Sequence, residues 1–195
     1  YNRINYGQRI TMIEAGHFQT NSEDFTTDDP IISTLPMEEN LKAVGVEHDI
    51  NFGVMSFPIF VTRMELYNYD LNMTLYFPDL ELNVYRASVI GNILIVEGID
   101  KINTKDVYAV RKALGIDDGD ISEIIIDNKK QNNGKIIPVN DSMRKNLLFE
   151  MTQKANLYSL GRFACWRQIL LDNTVQDLNV IDNMIKTLPY DRNRL

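Results

Sequence analysis

Two arginines stand where an anionic or carbonyl-bearing group could be held. Arg162 follows Gly161 directly, after a short apolar run over residues 157–160 that reads as a buried strand. Glycine tolerates positive φ, so the chain is free to turn there. Beyond a connector containing Phe163 and Trp166, Asp172 or Asn173 is placed to cap a helix. Val175, Leu178, Ile181, Met184 and Ile185 then recur at helical spacing and predict one apolar face. A helix N-terminus presents unpaired N–H groups and a partial positive charge, so an arginine beside it makes a cradle for an anion or a carbonyl. A plain strand-to-helix turn with a surface arginine would show the same pattern.

Arg86 lies in Val84-Tyr85-Arg86-Ala87-Ser88, a strand otherwise rich in small and apolar residues. Such an arginine asks for an anionic partner, either a ligand phosphate or carboxylate gripped bidentately or a neighbouring Asp or Glu. Strict alternation sends Tyr85 and Arg86 to opposite faces, so both reach one pocket only if the strand is bulged. Tyr76, which ends the preceding strand together with Phe77, adds an aromatic to the candidate substrate residues Arg86 and Tyr85.

Several other chemistries lack their residues. His17 and His48 are the only histidines and stand far apart, with no metal-ligand spacing, so no metal site is expected. No G-x-S-x-G elbow or Ser-His-Asp grouping suggests hydrolysis. Asp117, Asp118 and Asp120 crowd around Gly119 without the twelve-position calcium loop. Cys165 is the only cysteine, has no activating base nearby in sequence, and reads as a packed thiol. No catalytic acid, base or nucleophile is assigned.

The elements that must position these residues alternate in type. A strand is expected near residues 9–14, then a polar run to Pro30. A short strand at residues 31–35 precedes a helix from Met37 to Val44 with Leu41 and Val44 inward. From residue 51 to 97 four strands rich in β-branched and aromatic residues follow at short spacing, which suggests an antiparallel meander. A helix over residues 104–114, capped by Thr104, shows Val107, Val110, Ala113 and Leu114 inward and stops at Gly115. Residues 121–127 read as a strand and residues 128–135, NKKQNNGK, as a solvated loop. A helix capped by Asn140 then runs to Lys154, with Met143, Leu147, Leu148 and Met151 on its inner stripe.

The chain has 195 residues, 44% hydrophobic, and a net charge of -7. That length carries a sizeable core, and the acidic balance argues against nucleic-acid binding, which calls for a basic surface. No apolar run reaches the length of a membrane span, and a single cysteine fits a reducing compartment, so a cytoplasmic protein is expected. The first residue is Tyr1 rather than methionine, and the ten glycines nowhere form G-x-G-x-x-G, so a fragment lacking a dinucleotide-binding front portion is expected.

Tyr158-Ser159-Leu160-Gly161-Arg162-Phe163, followed by Trp166 and Leu170-Leu171-Asp172-Asn173, resembles the C-terminal flavin-binding motif of FAD-dependent amine-oxidase-like enzymes. Among these it is most similar to the UDP-galactopyranose mutases. Ile31-Ile32-Ser33-Thr34-Leu35-Pro36, Tyr85-Arg86 with Ser88, and Gly134-Lys135-Ile136 with Pro138 stand in the family's order. Trp166 departs from it, since those mutases usually carry a tyrosine after the Gly-Arg pair.

The resemblance implies FAD, with Gly161 and Arg162 at the pyrophosphate and the backbone of Asp172, Asn173 and Thr174 facing the flavin ring. It places Arg86, Tyr85 and Tyr76 on the side of a small anionic substrate, with a nucleotide sugar among the candidates. Lys135 would stand near the flavin or at an ordinary strand edge. The fold expected is α/β, more narrowly α+β. Residues 1–50 would be a returning segment of the FAD-binding domain, 51–139 an antiparallel substrate sheet, and 140–195 a C-terminal FAD-binding helix-strand-helix that carries the strand-helix part of a FAD/NAD(P)-binding fold. The activity implied is that of an oxidoreductase or sugar-nucleotide mutase. A non-catalytic binding or assembly module descended from a flavoprotein is the alternative.

Overall fold

The computed structural model describes residues 4–187; Tyr1 lies outside them. Residues up to Met55 together with those from Ile136 onward form one unit, and residues 56–135 form a second.

The first unit opens with three short strands, β1 (Ile10–Glu14), β2 (His17–Thr20) and β3 (Asp24–Thr26), in an antiparallel sheet of that order. The expectation of a polar run after the first strand is corrected here. Phe18 and Phe25 stack across β2 and β3 with ring centroids 4.8 Å apart, and that pair stabilises strands whose remaining residues are mostly polar.

Strand β4 (Ile31–Ser33) leads into helix α1 (Met37–Val44), where Leu41 and Val44 are buried as expected. Glu38 and Glu39 in its first turn and Lys42 in its last suit the helix dipole, and Gly45 closes it at φ 70°. Buried Asn40 ties the helix to β4: its Oδ1 accepts the Ser33 hydroxyl at 2.6 Å, and its Nδ2 donates to the Leu35 carbonyl at 3.0 Å. A four-residue turn, α2 (Phe52–Met55), ends this segment.

The chain re-enters the first unit through helix α4 (Asp141–Ala155), capped by Asn140, whose side chain accepts the Met143 N–H at 3.1 Å. Leu147 and Met151 are buried and Met143 is exposed, so the inner stripe is shorter than its spacing predicted. Strand β10 (Leu157–Ser159) then pairs in parallel with β4, and the 17-residue helix α5 (Leu171–Thr187) follows. Met37, Leu41, Phe52, Met151, Leu157 and Trp166 join one core in which Phe52 meets Trp166 edge-on at 4.7 Å.

The second unit is built on a five-stranded sheet in the order β6-β7-β8-β5-β9: β5 (Ser56–Leu66), β6 (Leu71–Tyr76), β7 (Val84–Gly91), β8 (Ile93–Gly98) and β9 (Ile121–Ile136). It is not a simple meander. β6, β7 and β8 follow one another as antiparallel hairpins, but β5 pairs with β8 rather than with β6. The link over residues 67–70 therefore crosses the end of the β7–β8 hairpin. Four residues suffice, because three strand spacings amount to about 14 Å and five chain steps reach about 17 Å. The crossing is held by the Leu66 N–H, which donates to the Asn92 carbonyl at 2.8 Å.

Helix α3 (Thr104–Leu114) joins Met64, Val84, Ala87, Val89, Leu94 and Val96 in a second core through Val110, with Val107 and Leu114 packed against it. Each fully buried aliphatic side chain there contributes about 1.5–3 kcal/mol relative to exposure. The cap of α3 is Asn103 rather than Thr104: Asn103 Oδ1 accepts the Asp106 N–H, and Asp106 returns the bond to the Asn103 N–H. Ala113 is exposed rather than inward.

The polar stretch expected as a loop is strand. β9 runs unbroken through residues 128–135, and pairing beside β5 outweighs the turn preference of Asn and Gly. Gly134 has a specific reason to be glycine, since a Cβ there would overlap the side chain of Ile59 on β5.

Candidate functional site

Each unit carries one candidate constellation. In the second unit it grows from the register of β7. The pairing of β7 with β8 shifts between Val84 and Arg86, so Tyr85 is the bulged residue and the alternation resets after it. Strict alternation would hold Tyr85 and Arg86 on opposite faces. The bulge is present and brings them together.

Glu97, which sequence reasoning did not single out, is where they meet. The Tyr85 hydroxyl donates to Glu97 Oε2 at 2.8 Å, Arg86 Nε donates to Oε2 at 2.5 Å and Arg86 Nη2 donates to Oε1 at 2.7 Å. Register places Tyr76 of β6 beside Arg86. Lys135 Nζ stands 4.4 Å from the centroid of the Tyr85 ring, a cation–π contact. The anionic partner that Arg86 called for is thus in the protein. The signal that could have found it is Glu97 itself, an acid at the end of an otherwise apolar strand.

The electrostatics follow from this geometry. Burial raises the Glu97 carboxyl, but the bonds from Arg86 and Tyr85 outweigh it and hold Glu97 below its ordinary value. Tyr85 is pushed well above the usual phenol range, by burial first and then by its bond to Glu97. Arg86 is raised further by the same carboxylate and stays charged. At physiological pH the Glu97 carboxylate therefore faces the Arg86 guanidinium and a neutral Tyr85 phenol.

In the first unit the constellation is the turn after β10. Gly161 has φ 95°, and no atom lies within 4 Å of where its Cβ would be. Arg162 Nη2 donates to the carbonyl of Ile169 at 3.1 Å, which fastens the guanidinium two residues before the start of α5. The helix begins at Leu171, ahead of both expected caps. Asn173 Oδ1 accepts the Leu170 N–H at 3.1 Å, and Thr174 directs both its N–H and its hydroxyl to the Leu170 carbonyl. Thr174 is spent on the helix start. The N–H groups of Leu171, Asp172 and Asn173 are the ones without an intrahelical acceptor.

The apolar face expected on α5 is only partly covered: Ile181 is buried, whereas Val175 is 61% and Leu178 43% exposed. The connector before the helix is well packed. Trp166, at φ 46°, donates its indole N–H to the Ile137 carbonyl at 3.0 Å, and Arg144 of α4 donates to the Cys165 carbonyl at 3.2 Å. Cys165 is buried, its thiol donates to the Ser159 carbonyl at 3.2 Å, and burial pushes it above its ordinary value.

The remaining candidates have local uses. Asp120 accepts the Tyr69 hydroxyl at 3.1 Å and the Asp117 N–H at 2.8 Å in a single 3-10 turn. His17 and His48 are not brought together with other ligand types, and no group of His, Cys, Asp or Glu among the described residues could hold a metal ion. Among the described residues no helix is long and apolar enough to cross a membrane.

No protein-family model matches the sequence, and no curated protein matches it significantly. Among solved structures the fold is similar to that of a CLA-producing fatty acid isomerase from P. acnes, with a TM-score of 0.55 and 16% identity over 93% of this chain. The chain spans about half of that protein, 47% of its length. At that identity the likeness is one of fold, that of a mixed α/β chain.

Proposed function

We propose that the chain forms part of a FAD-dependent oxidoreductase or isomerase of the amine-oxidase-like kind. The observation that carries this reading is the bond from Arg162 to the Ile169 carbonyl, which sets a guanidinium beside a left-handed glycine and the head of a long helix. The same strand, Gly-Arg and helix order is what the sequence shares with the flavin-binding motif. Similarity of fold to a fatty acid isomerase supports the class of enzyme.

The residues present fit the group. Arg162 has one guanidinium nitrogen committed to Ile169 and others left to meet a phosphate oxygen. The open space at Gly161 admits a close approach to the backbone. Asp172, an exposed acid in the first turn of α5, repels a phosphate but tolerates a neutral carbonyl. Phosphate at Arg162 and a ring carbonyl at the N–H groups of Asp172 and Asn173 is therefore the arrangement the charges favour. When bound, the flavin supplies hydride or nucleophile chemistry at its N5. The chain's own part is to bind and orient it.

On the sheet of the second unit, Arg86, Tyr85 and Tyr76 are the proposed substrate residues, with Glu97 holding the first two in place. Kinship with the UDP-galactopyranose mutases would make the substrate a nucleotide sugar, and kinship with the fatty acid isomerase would make it a fatty acid. Both are anionic. The test is the visible absorption spectrum of the full-length protein, purified without added cofactor. Bands of bound flavin support the enzyme. A colourless protein that takes up no added FAD refutes it and leaves a binding module of the same fold.

A further inference from the structure

Register places a second set of side chains on the face of the sheet opposite the α3 core. Arg86 pairs with Glu97, Ser88 with Ile95 and Ile90 with Ile93, and on β5 Val61, Arg63 and Glu65 lie opposite Glu97, Ile95 and Ile93. Two features of this face stand apart. One end holds the Tyr76, Tyr85, Arg86, Glu97 and Lys135 cluster. From it an apolar track runs over half-buried Ile95 and Ile93 to Ile90, which is 57% exposed.

The charges on this face do not cancel. Arg86, Lys135 and Arg63 stand against Glu97 and Glu65. Glu97 is consumed by Arg86, and Glu65 is engaged by the Asn92 amide at 2.9 Å. Among the described residues Lys135 has no carboxylate within ion-pair distance, and its contact with the Tyr85 ring leaves its N–H donors to a ligand. Three cations against two carboxylates leave a net excess of one positive charge beside two phenols, which suits a single negative charge better than the doubly charged diphosphate of a nucleotide sugar. The track from Glu97 to Ile93 spans four residue steps, about 13 Å of strand, with nothing ionised on β8 beyond Glu97.

We propose that this face binds an amphipathic monocarboxylate, its carboxylate held by Lys135 and Arg86 beside Tyr76 and its alkyl chain laid along Ile95, Ile93 and Ile90. The inference rests on the reading of this sheet as the substrate side and names the class of substrate it takes.

The test is a calorimetric titration of the full-length protein with dodecanoate, with dodecan-1-ol and with UDP-galactose. Dodecanoate binds, dodecan-1-ol binds at least about tenfold more weakly, and UDP-galactose does not compete. Lys135→Met weakens dodecanoate by about tenfold and leaves dodecan-1-ol unchanged, while Ile95→Ser weakens both. Equal binding of acid and alcohol, binding of UDP-galactose in place of dodecanoate, or no binding of any probe overturns the inference. A yellow protein that ignores dodecanoate overturns this inference alone. A colourless one that binds it overturns the flavin reading alone.

Discussion

Arg86 on β7 and Glu97 on β8 face each other across the sheet and share two charge-assisted hydrogen bonds, at 2.5 and 2.7 Å. The Tyr85 hydroxyl shares the same carboxylate because the strand bulges at Tyr85. Glu97→Ala therefore removes the acceptor of three donors at once. Arg86 is half-exposed and can turn to water, so the expected loss is about 1–2 kcal/mol, near the lower end for bonds to a charged group. Urea unfolding of the variant measures it, and a midpoint unchanged from the parent would show that the pair contributes nothing to the fold.

The pH dependence has a definite sign. Glu97 is held below its unfolded value, chiefly by Arg86 and Tyr85 against the opposing effect of burial, and Asp141 is lowered to about 2 by Lys145 and then Arg144. Between the folded and unfolded values the unfolded chain binds more protons, so stability is full above about pH 4.3 and falls as pH drops through the folded values. Glu97→Gln should flatten that acid limb and leave neutral-pH behaviour less affected than Glu97→Ala. Chemical denaturation from pH 7 to pH 3 tests this; an unchanged slope in Glu97→Gln would remove Glu97 from the acid transition.

Gly161 separates backbone strain from crowding. At φ 95° an L side chain is disfavoured, yet nothing lies within 4 Å of its Cβ position. Gly161→Ala is expected to cost about 1–2 kcal/mol from conformation alone. A loss well below that would mean the turn relaxes to negative φ without harm, and thermal unfolding would show it.

How much of this was legible in the sequence varies with the range of the interaction. Helices α1 and α4 stand where capping and periodicity placed them, because Asn140 and the positions of Leu41, Val44, Leu147 and Met151 are local signals. The pairing of β5 with β8 was not legible, since a four-residue link permits either neighbour and only the packed sheet decides. Residues 128–135 read as loop because composition reports turn preference and not the strand beside it. The meeting of Tyr85 and Arg86 depended on a bulge, which alternation cannot announce, and Glu97 carried no motif to mark it. The Gly161-Arg162 turn was visible because glycine, arginine and the following helix are adjacent in sequence.

In the proposed flavin site the turn after β10 holds a phosphate through Arg162. FAD titrated into the full-length apo-protein and into Arg162→Ala, with unfolding midpoints compared in parallel, tests it most directly. The expected loss in FAD affinity is about 1.5–3 kcal/mol, the range for a charge-assisted hydrogen bond, beyond any change in stability. Equal affinity in a variant that folds as well as the parent would contradict it.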